Sequence, residues 1–239
     1  MGSLVVNGSW VTNRPVSGFS NKLPFSSLRG EALAQFVAIA PEVSYSRGEL
    51  LFVEEETPTH VFVICSGRVK LTLTSRDGKV VILRVVGPGG ILGLSAGMSG
   101  TLNETSAEAI EPCRVKAIRV IDFLRFLEMH PEASAEATTC LLSDYRVTLN
   151  NVCRLALPTT VAGRLASLLL EWLDAHPASS SHERRFILTL TQEEIASMVN
   201  TSRETVSRVL HQFQEEKLIS IKGASVTILQ PEALEDQAI

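Results

Sequence analysis

The segment that most constrains this chain of 239 residues runs from Leu188 to Leu229, where two short amphipathic helices are predicted with only a brief turn between them. Thr191 and Glu194 form a T-x-x-E capping box, which marks the start of the first helix. The second helix is expected to begin near Ser202. It presents one apolar side at helical spacing, formed by Val206, Val209, Leu210 and Phe213. This arrangement is typical of a helix-turn-helix, whose second helix can enter the major groove of DNA.

The exposed side of the second helix carries side chains that can read bases. In its first two turns these are Arg203, Glu204, Ser207 and Arg208. Arginine can donate two hydrogen bonds to guanine, and glutamate can accept one from the cytosine amino group. The alternative is an ordinary surface helix with intrahelical ion pairs, since Glu204 and Arg208 are spaced i,i+4. The preceding helix and the following hairpin favour base reading.

That hairpin is predicted from two short apolar runs after Lys217. Leu218–Ile221 and Val226–Leu229 flank the turn residues Lys222-Gly223-Ala224, a pattern typical of a two-stranded wing. Lys222 lies at its tip, where it can meet a DNA phosphate.

The first half of the chain has the pattern of a small β structure. Residues 61–66 and 69–74 alternate as half-buried strands do, Ser75–Gly78 supplies a hairpin turn, and further strands are expected at 80–86 and 113–118. Several short strands separated by turn signals predict an antiparallel barrel or roll. The uncharged stretch from Val85 to Asn103 is interrupted by seven glycines and a proline. It therefore predicts a chain of tight turns and no membrane span.

Two helices are predicted between these parts. A short helix covers Ile121–Leu127, and His130-Pro131 ends it before a long helix that runs from about 131 to 155. The long helix carries an apolar stripe at coiled-coil spacing: Leu142, Tyr145, Leu149 and Val152. Self-association through this stripe is favoured over packing on the chain's own barrel. Pro158 is the expected domain boundary.

The sequence also argues against several classes of protein. The four cysteines form no C-x-x-C pair, so neither a zinc ribbon nor an iron–sulfur motif is present, and free thiols are expected. No nucleophile–base pair, paired carboxylate site or metal cluster indicates an enzyme. The N-terminus has no basic n-region and no apolar h-region, and we expect a cytoplasmic protein.

Nearly the whole chain, from about residue 23 to 230, resembles the CRP/FNR family of bacterial transcription regulators. The run TSRETVSRVL resembles the family's recognition helix, and GRVKLTLTSRDGKVVILRVVGPGGILG resembles the core of its cyclic-nucleotide-binding-like β-roll. The resemblance implies an α+β fold: an N-terminal antiparallel β-roll of the jelly-roll (double-stranded β-helix) type, a long dimerisation helix and a C-terminal winged helix-turn-helix. The expected parts are a flexible tail (1–22), the sensor roll (23–130), the dimerisation helix (131–157) and the DNA-binding domain (158–239).

The resemblance also implies roles for single residues. It assigns Arg203, Glu204 and Arg208 to bases, with Ser207 matching the FNR-like variant of the helix, and it implies a homodimer on palindromic double-stranded DNA with TGTGA-like half-sites. The residues expected to meet phosphate are Thr191, Ser202, His211 and Lys222. The loop at 176–183 corresponds to a surface that touches RNA polymerase in activators, which favours activation over pure repression.

The effector pocket departs from the family's cyclic-AMP-binding pattern. Its expected residues are Gly93, Leu94, Glu104, Thr105, Ser106 and Thr148. Leu94 replaces the glutamate that would hold ribose, and Glu104 falls where an arginine would neutralise the phosphate. A carboxylate there would repel the phosphate, so we expect an effector other than cyclic AMP.

The other effectors known in the family find no support in the residues. Positions 1–30 contain no cysteine for an iron–sulfur cluster, and His60 and His130 are expected to be surface or helix-end residues in preference to haem ligands. The sequence leaves the effector unnamed. A small-molecule sensor without DNA-binding activity is the alternative function, and Arg203 and Arg208 argue against it.

Charge is distributed against the expected partner. The net charge is −4, and the whole excess of acidic residues lies beyond Pro158. A positive strip on the second helix and the wing can still meet DNA locally. We therefore expect weak non-specific binding and dependence on a good operator.

Replacing Lys222 by alanine should weaken binding to all DNA sequences alike, because a phosphate contact carries no base information. The slope of log affinity against log salt should fall by about one unit. Fluorescence anisotropy over a salt series measures this slope. An unchanged slope would remove the wing tip from the interface.

Overall fold

The computed structural model describes residues 25, 28–157, 160–174, 184–188 and 190–238. The predicted tail (1–22), the boundary at Pro158 and the loop at 176–183 lie outside these ranges. The elements are α1 (Gly30–Ala38), β1 (Glu42–Tyr45), β2 (Leu50–Phe52), β3 (His60–Ser66), β4 (Val69–Thr74), β5 (Val80–Val86), β6 (Ile91–Leu92), α2 (Leu94–Ser99), β7 (Ser106–Ala109), β8 (Cys113–Arg119), α3 (Val120–Met129), α4 (Pro131–Ala156), α5 (Val161–Asp174), β9 (Arg185–Ile187), α6 (Gln192–Met198), α7 (Arg203–Glu215), β10 (Ile219–Lys222), β11 (Ser225–Ile228) and α8 (Pro231–Gln237).

Two four-stranded antiparallel sheets form the predicted roll. Their strand orders are β1-β8-β3-β6 and β2-β7-β4-β5. The expectation that β3 is half-buried is wrong. Val61 and Val63 pack in a core with α1, α3 and α4, whereas Phe62 and Ile64 face the interior between the sheets. Both faces of β3 are apolar because helices cover the outer face of its sheet.

The glycine-rich stretch contains a short helix where only turns are predicted. Helix α2 spans Leu94–Ser99, and Gly93 and Gly100 flank it in the left-handed conformation, with φ of +70° at each. Burial of Leu94 and Ala96 holds this turn of helix against the roll. Among the described residues, no helix is long and apolar enough to cross a membrane.

Helix α4 confirms the predicted long helix and leaves its apolar stripe open. Its first turns are buried through Ala133 and Ala137 against the helices of the roll. Farther along, the predicted seam residues Leu142, Tyr145, Leu149 and Val152 are between 48% and 66% exposed. The described part of the chain therefore does not cover this stripe.

The C-terminal part is the predicted winged helix-turn-helix with one additional strand. Helices α5, α6 and α7 enclose a core around Trp172, Leu168 and Phe213. The wing hairpin β10–β11 has the register Ile219↔Ile228 to Lys222↔Ser225. Strand β9 extends it to three strands by pairing with β11, where the sequence indicated only loop.

The DNA-binding part packs directly on the outer face of the roll. Ile82, Val85 and Ile110 of the roll belong to the same core as the C-terminal helices. The Ser197 hydroxyl of α6 accepts a hydrogen bond from the Ile82 N–H (3.2 Å) and donates one to the Val80 carbonyl (3.1 Å). A polar side chain thus joins α6 to strand β5.

A buried ion pair joins α4 to α5. Arg154 Nη1 lies 2.5 Å from Glu171 Oε2, and the side chains are 1% and 33% exposed. Burial lowers the pKa of Arg154 and raises the pKa of Glu171, while the opposite charge of each partner counteracts the shift. Arg154 Nε and Nη2 have no hydrogen-bond partner. The pair is thus only partly satisfied, and Arg154 bears most of the desolvation cost.

This asymmetry predicts unequal effects of breaking the pair. Glu171→Gln leaves a buried guanidinium without a counter-charge and should lower the free energy of unfolding by up to about 3 kcal/mol. Arg154→Met removes the buried charge, and the partly exposed Glu171 can turn to water, so stability should stay within about 1 kcal/mol of wild type. Urea unfolding measures both. Equal losses in the two variants would contradict this account.

Candidate nucleic-acid interface

Helix α6 begins with the predicted capping box. Thr191 Oγ1 accepts a hydrogen bond from the Glu194 N–H (3.2 Å), and Glu194 Oε2 accepts one from the Thr191 N–H (2.8 Å). The box satisfies two backbone donors at the helix start. Ile195, Ala196 and Met198 then anchor the helix in the C-terminal core.

The turn between the two helices is fixed by backbone hydrogen bonds. Asn200 adopts φ of +54°, a conformation that asparagine tolerates better than most residues. The Thr201 N–H donates to the Ala196 carbonyl (2.9 Å), and Arg164 Nε donates to the Val199 carbonyl (2.8 Å). These contacts set the angle at which α7 leaves α6.

Helix α7 presents the four predicted base-reading residues on one open side. Ser202 caps it by accepting a hydrogen bond from the Thr205 N–H (3.3 Å). The predicted apolar side is buried through Val206, Val209, Leu210 and Phe213. The structure therefore brings Arg203, Glu204, Ser207 and Arg208 together on the exposed side of the first two turns.

Glu204 is held in its charged form. The Glu204 backbone N–H, and then the Ser202 hydroxyl, keep the pKa of the Glu204 carboxyl below its usual value. At neutral pH the side chain is thus an acceptor only, as hydrogen bonding to a cytosine amino group requires.

The residues predicted to meet phosphate have different local roles. Thr191 and Ser202 are the N-caps just described, so their hydroxyls are already engaged within the protein. His211 is exposed farther along α7, with Nε2 3.6 Å from Glu215 Oε1, and the two attract only when the imidazole is protonated. Lys222 is exposed at the end of β10, beside the tip of the wing.

A cleft of about 700 Å³ separates the start of α7 from the roll. One wall is the outer face of the sheet and includes Lys70, Thr72 and Glu108. The other wall includes Arg203 and Glu204. Two of the base-reading side chains therefore face the chain's own sensor roll across this cleft.

The predicted effector residues do not converge on one pocket. Leu94 is buried in the core between the roll and its helices, and Glu104 and Thr148 are exposed. Gly93 is the N-cap of α2, where a Cβ would lie 3.2 Å from the His60 carbonyl oxygen. Thr105 lies between Glu104 and the start of β7 and is half-buried.

Ser106 faces away from the roll interior. Strand β7 alternates so that Ala107 and Ala109 point inward, which sends Ser106 and Glu108 to the outer cleft. The Ser106 hydroxyl there accepts a hydrogen bond from the Glu54 N–H (3.0 Å). The prediction that Leu94 and Ser106 share one pocket is therefore wrong.

Sequence reasoning missed a charged group on the inner face of the roll. Arg84 pairs in register with Leu71, which faces the interior, and Arg84 Nη1 lies 2.7 Å from Asp144 Oδ1 on α4. A bulge between Leu71 and Thr72 sends Ile82 to the outer face although it is two residues from Arg84. Regular alternation would place both on one face, so the sequence carried no signal.

The described residues offer little other chemistry. No group of three histidine, cysteine or acidic side chains among them could hold a metal ion. All four cysteines are free, as predicted. Burial, assisted by nearby carboxylates, raises the pKa of both Cys65 and Cys140 to about 11, so these thiols are neutral and poorly nucleophilic near pH 7.

Comparison with known proteins matches both parts of the chain. The family description "Cyclic nucleotide-binding domain" matches residues 42–130, and "Crp-like helix-turn-helix domain" matches residues 163–237. A CRP-like cAMP-activated global transcriptional regulator of Mycobacterium tuberculosis is 30% identical over 214 residues, which cover 90% of this chain and 95% of the relative. The cAMP-activated global transcriptional regulator CRP of Pasteurella multocida is 29% identical over 185 residues, or 77% and 87% of the two chains.

A solved structure supports the fold. A CooA mutant from Carboxydothermus hydrogenoformans superposes with a TM-score of 0.78 at 20% identity, covering 92% of this chain and 97% of that one. The relatives are transcription regulators and not enzymes. With a roll, a long helix and a helix-turn-helix in the order that the sequence predicts, the chain belongs to the CRP/FNR family of DNA-binding transcription regulators.

Proposed function

We propose that this protein is a homodimeric, sequence-specific transcription regulator that reads a palindromic operator with TGTGA-like half-sites. The observation that carries the proposal is the open side of α7, where Arg203, Glu204, Ser207 and Arg208 stand together because the opposite side is buried. Thr191, Ser202, His211 and Lys222 are the proposed phosphate contacts. Residues 23–130 are the sensor, 131–157 the dimerisation helix and 158–239 the DNA-binding domain.

The open stripe of α4 supports the dimer. Four large side chains at coiled-coil spacing are about half exposed in the single chain, and a second copy of α4 would bury them. Pairing of two such helices gives a two-fold axis. Two recognition helices can then enter successive major grooves, roughly 34 Å apart.

DNA binding requires the cleft beside α7 to open. A major groove is about 12 Å wide and is bordered by phosphate backbones on both sides, so Arg203 and Glu204 must be clear of the roll before they reach base edges. An effector that prefers the open arrangement would shift the population toward it. The contacts of Ser197 with β5 are the polar ones that would break.

We infer that this effector is not cyclic AMP, although the relatives from M. tuberculosis and P. multocida are described as cAMP-activated. Leu94 is buried and apolar where a ribose-binding carboxylate would stand, and Glu104 offers no cation to the phosphate. Iron–sulfur and haem effectors are likewise not proposed. Activation through contact with RNA polymerase rests on the loop at 176–183, which is outside the described residues, and the cytoplasm is the proposed location.

Replacing Arg203 by alanine should weaken binding to the preferred palindrome by roughly 1–3 kcal/mol per contact and relax specificity at one guanine. Fluorescence anisotropy with the palindrome and with single-base variants of it measures both effects. Arg125→Ala, which removes an exposed arginine from α3 of the roll, is the matched control and should change neither. Unaltered affinity and specificity in Arg203→Ala would refute base reading by α7.

Replacing Leu149 by glutamate should separate the dimer, because it places two like charges in an apolar seam. Operator affinity should then fall by a factor on the order of 10² or more, since each half-site is bound alone. Sedimentation velocity and anisotropy measure mass and affinity. Asn150→Glu, an exposed position next to the stripe, is the control; a Leu149→Glu variant that stays dimeric would place the dimer interface elsewhere.

A further inference from the structure

The inner face of the roll carries one arginine among apolar neighbours. Arg84 on β5 is opposite Leu71 on β4, and Leu71 is opposite Ala107 on β7. Leu71 and Ala107 belong to the core between the two sheets. The Arg84 side chain is 18% exposed, so the guanidinium stands at the edge of an apolar wall and keeps some access to water.

Asp144 on α4 is the partner of this guanidinium. Nη1 of Arg84 lies 2.7 Å from Oδ1 of Asp144, and the carboxylate side chain is 35% exposed. Within the part of the chain that the structure describes, Arg84 has no other hydrogen bond or ion pair. A guanidinium has five N–H donors, so most of its capacity for oxyanions is unused.

This ion pair differs in position from the others of the roll. Lys70–Glu108 joins neighbouring strands of one sheet, and Arg68–Glu111 lies within the roll. Among the described ion pairs, Arg84–Asp144 alone joins the roll to α4. Asp144 directly precedes Tyr145 of the open stripe, so the pair links the inner face of the sensor to the helix that is proposed to form the dimer.

We propose that Arg84 is the anchor of the effector site and that it binds a small organic oxyanion, a carboxylate or a phosphate ester, that carries an apolar group. The ligand anion replaces Asp144 on the guanidinium, and its apolar group lies against Leu71 and Ala107. This inference rests on the proposed function, because it takes the roll as the sensor. It supplies the cation that the sequence lacks at Glu104.

The groups near the pair on α4 are compatible with an anionic ligand. Cys140, one turn before Asp144, is neutral near pH 7 because burial is the main cause that raises its pKa to about 11. Thr148, one turn after Asp144, is uncharged and exposed. Asp144 is thus the resident anion that a ligand must displace, and its displacement frees α4 from β5. A ligand that binds only the released arrangement shifts the equilibrium between arrangements.

The test compares benzoate and phenyl phosphate with neutral benzamide as probes on the full-length protein. Isothermal titration calorimetry and thermal unfolding are recorded for wild type, Arg84→Gln, Arg84→Lys and Asp144→Asn. Lys70→Gln is the matched control, since Lys70 is a cation on the same strand pair with a carboxylate partner 2.8 Å away on the opposite face of the sheet. Operator binding of each preparation is measured without any probe.

The proposal predicts opposite effects of the two partners. Asp144→Asn should raise the affinity for at least one anionic probe by about tenfold, and Arg84→Gln should abolish it, because a charge-assisted hydrogen bond is removed in one case and its competitor in the other. Arg84→Lys should bind more weakly than wild type, since lysine lacks the fork of donors. Lys70→Gln should match wild type, and benzamide should bind to none.

Other results would overturn the proposal. Anion affinity that is equal in wild type, Arg84→Gln and Asp144→Asn, or absent in all of them, would leave Arg84–Asp144 as a structural ion pair only. Cyclic AMP is titrated in parallel, and binding that depends on Arg84 would keep the anchor while contradicting the proposed effector class of the whole protein. Loss of operator binding by wild type itself would overturn the proposed function, independently of the anion results.

Discussion

Burial of the apolar side of α7 is the constraint on which the functional surface depends. Val206, Val209, Leu210 and Phe213 pack into the core formed with α5, α6 and the wing, and each contributes on the order of 1.5–3 kcal/mol relative to exposure. Because a helix is rigid, fixing one side also fixes the other. The positions of Arg203, Glu204, Ser207 and Arg208 toward DNA are thus set by side chains that never touch it.

The features that follow from local rules could be predicted from the sequence. The capping box at Thr191, the period of α7, the hairpin around Gly223 and the open stripe of α4 all depend on neighbours within a few residues. The resemblance of TSRETVSRVL to a recognition helix added their roles.

The features that depend on packing between distant segments could not be predicted. Strand β3 is buried on both faces because helices from elsewhere cover one of them, and α2 forms in a glycine-rich stretch because Leu94 and Ala96 meet the roll. Arg84 reaches the inner face through a bulge, and Ser197 meets β5 across more than a hundred residues. In each case a tertiary contact overrides the local pattern.

The central claim is that two copies of this chain read one palindrome through α7. Selection of bound duplexes from a random pool by the purified full-length protein tests it most directly, because it assumes no operator in advance. The account predicts enrichment of two inverted TGTGA-like half-sites whose centres are about 10 to 10.5 base pairs apart. Enrichment of a single asymmetric site, or of no site above the starting pool, would contradict it.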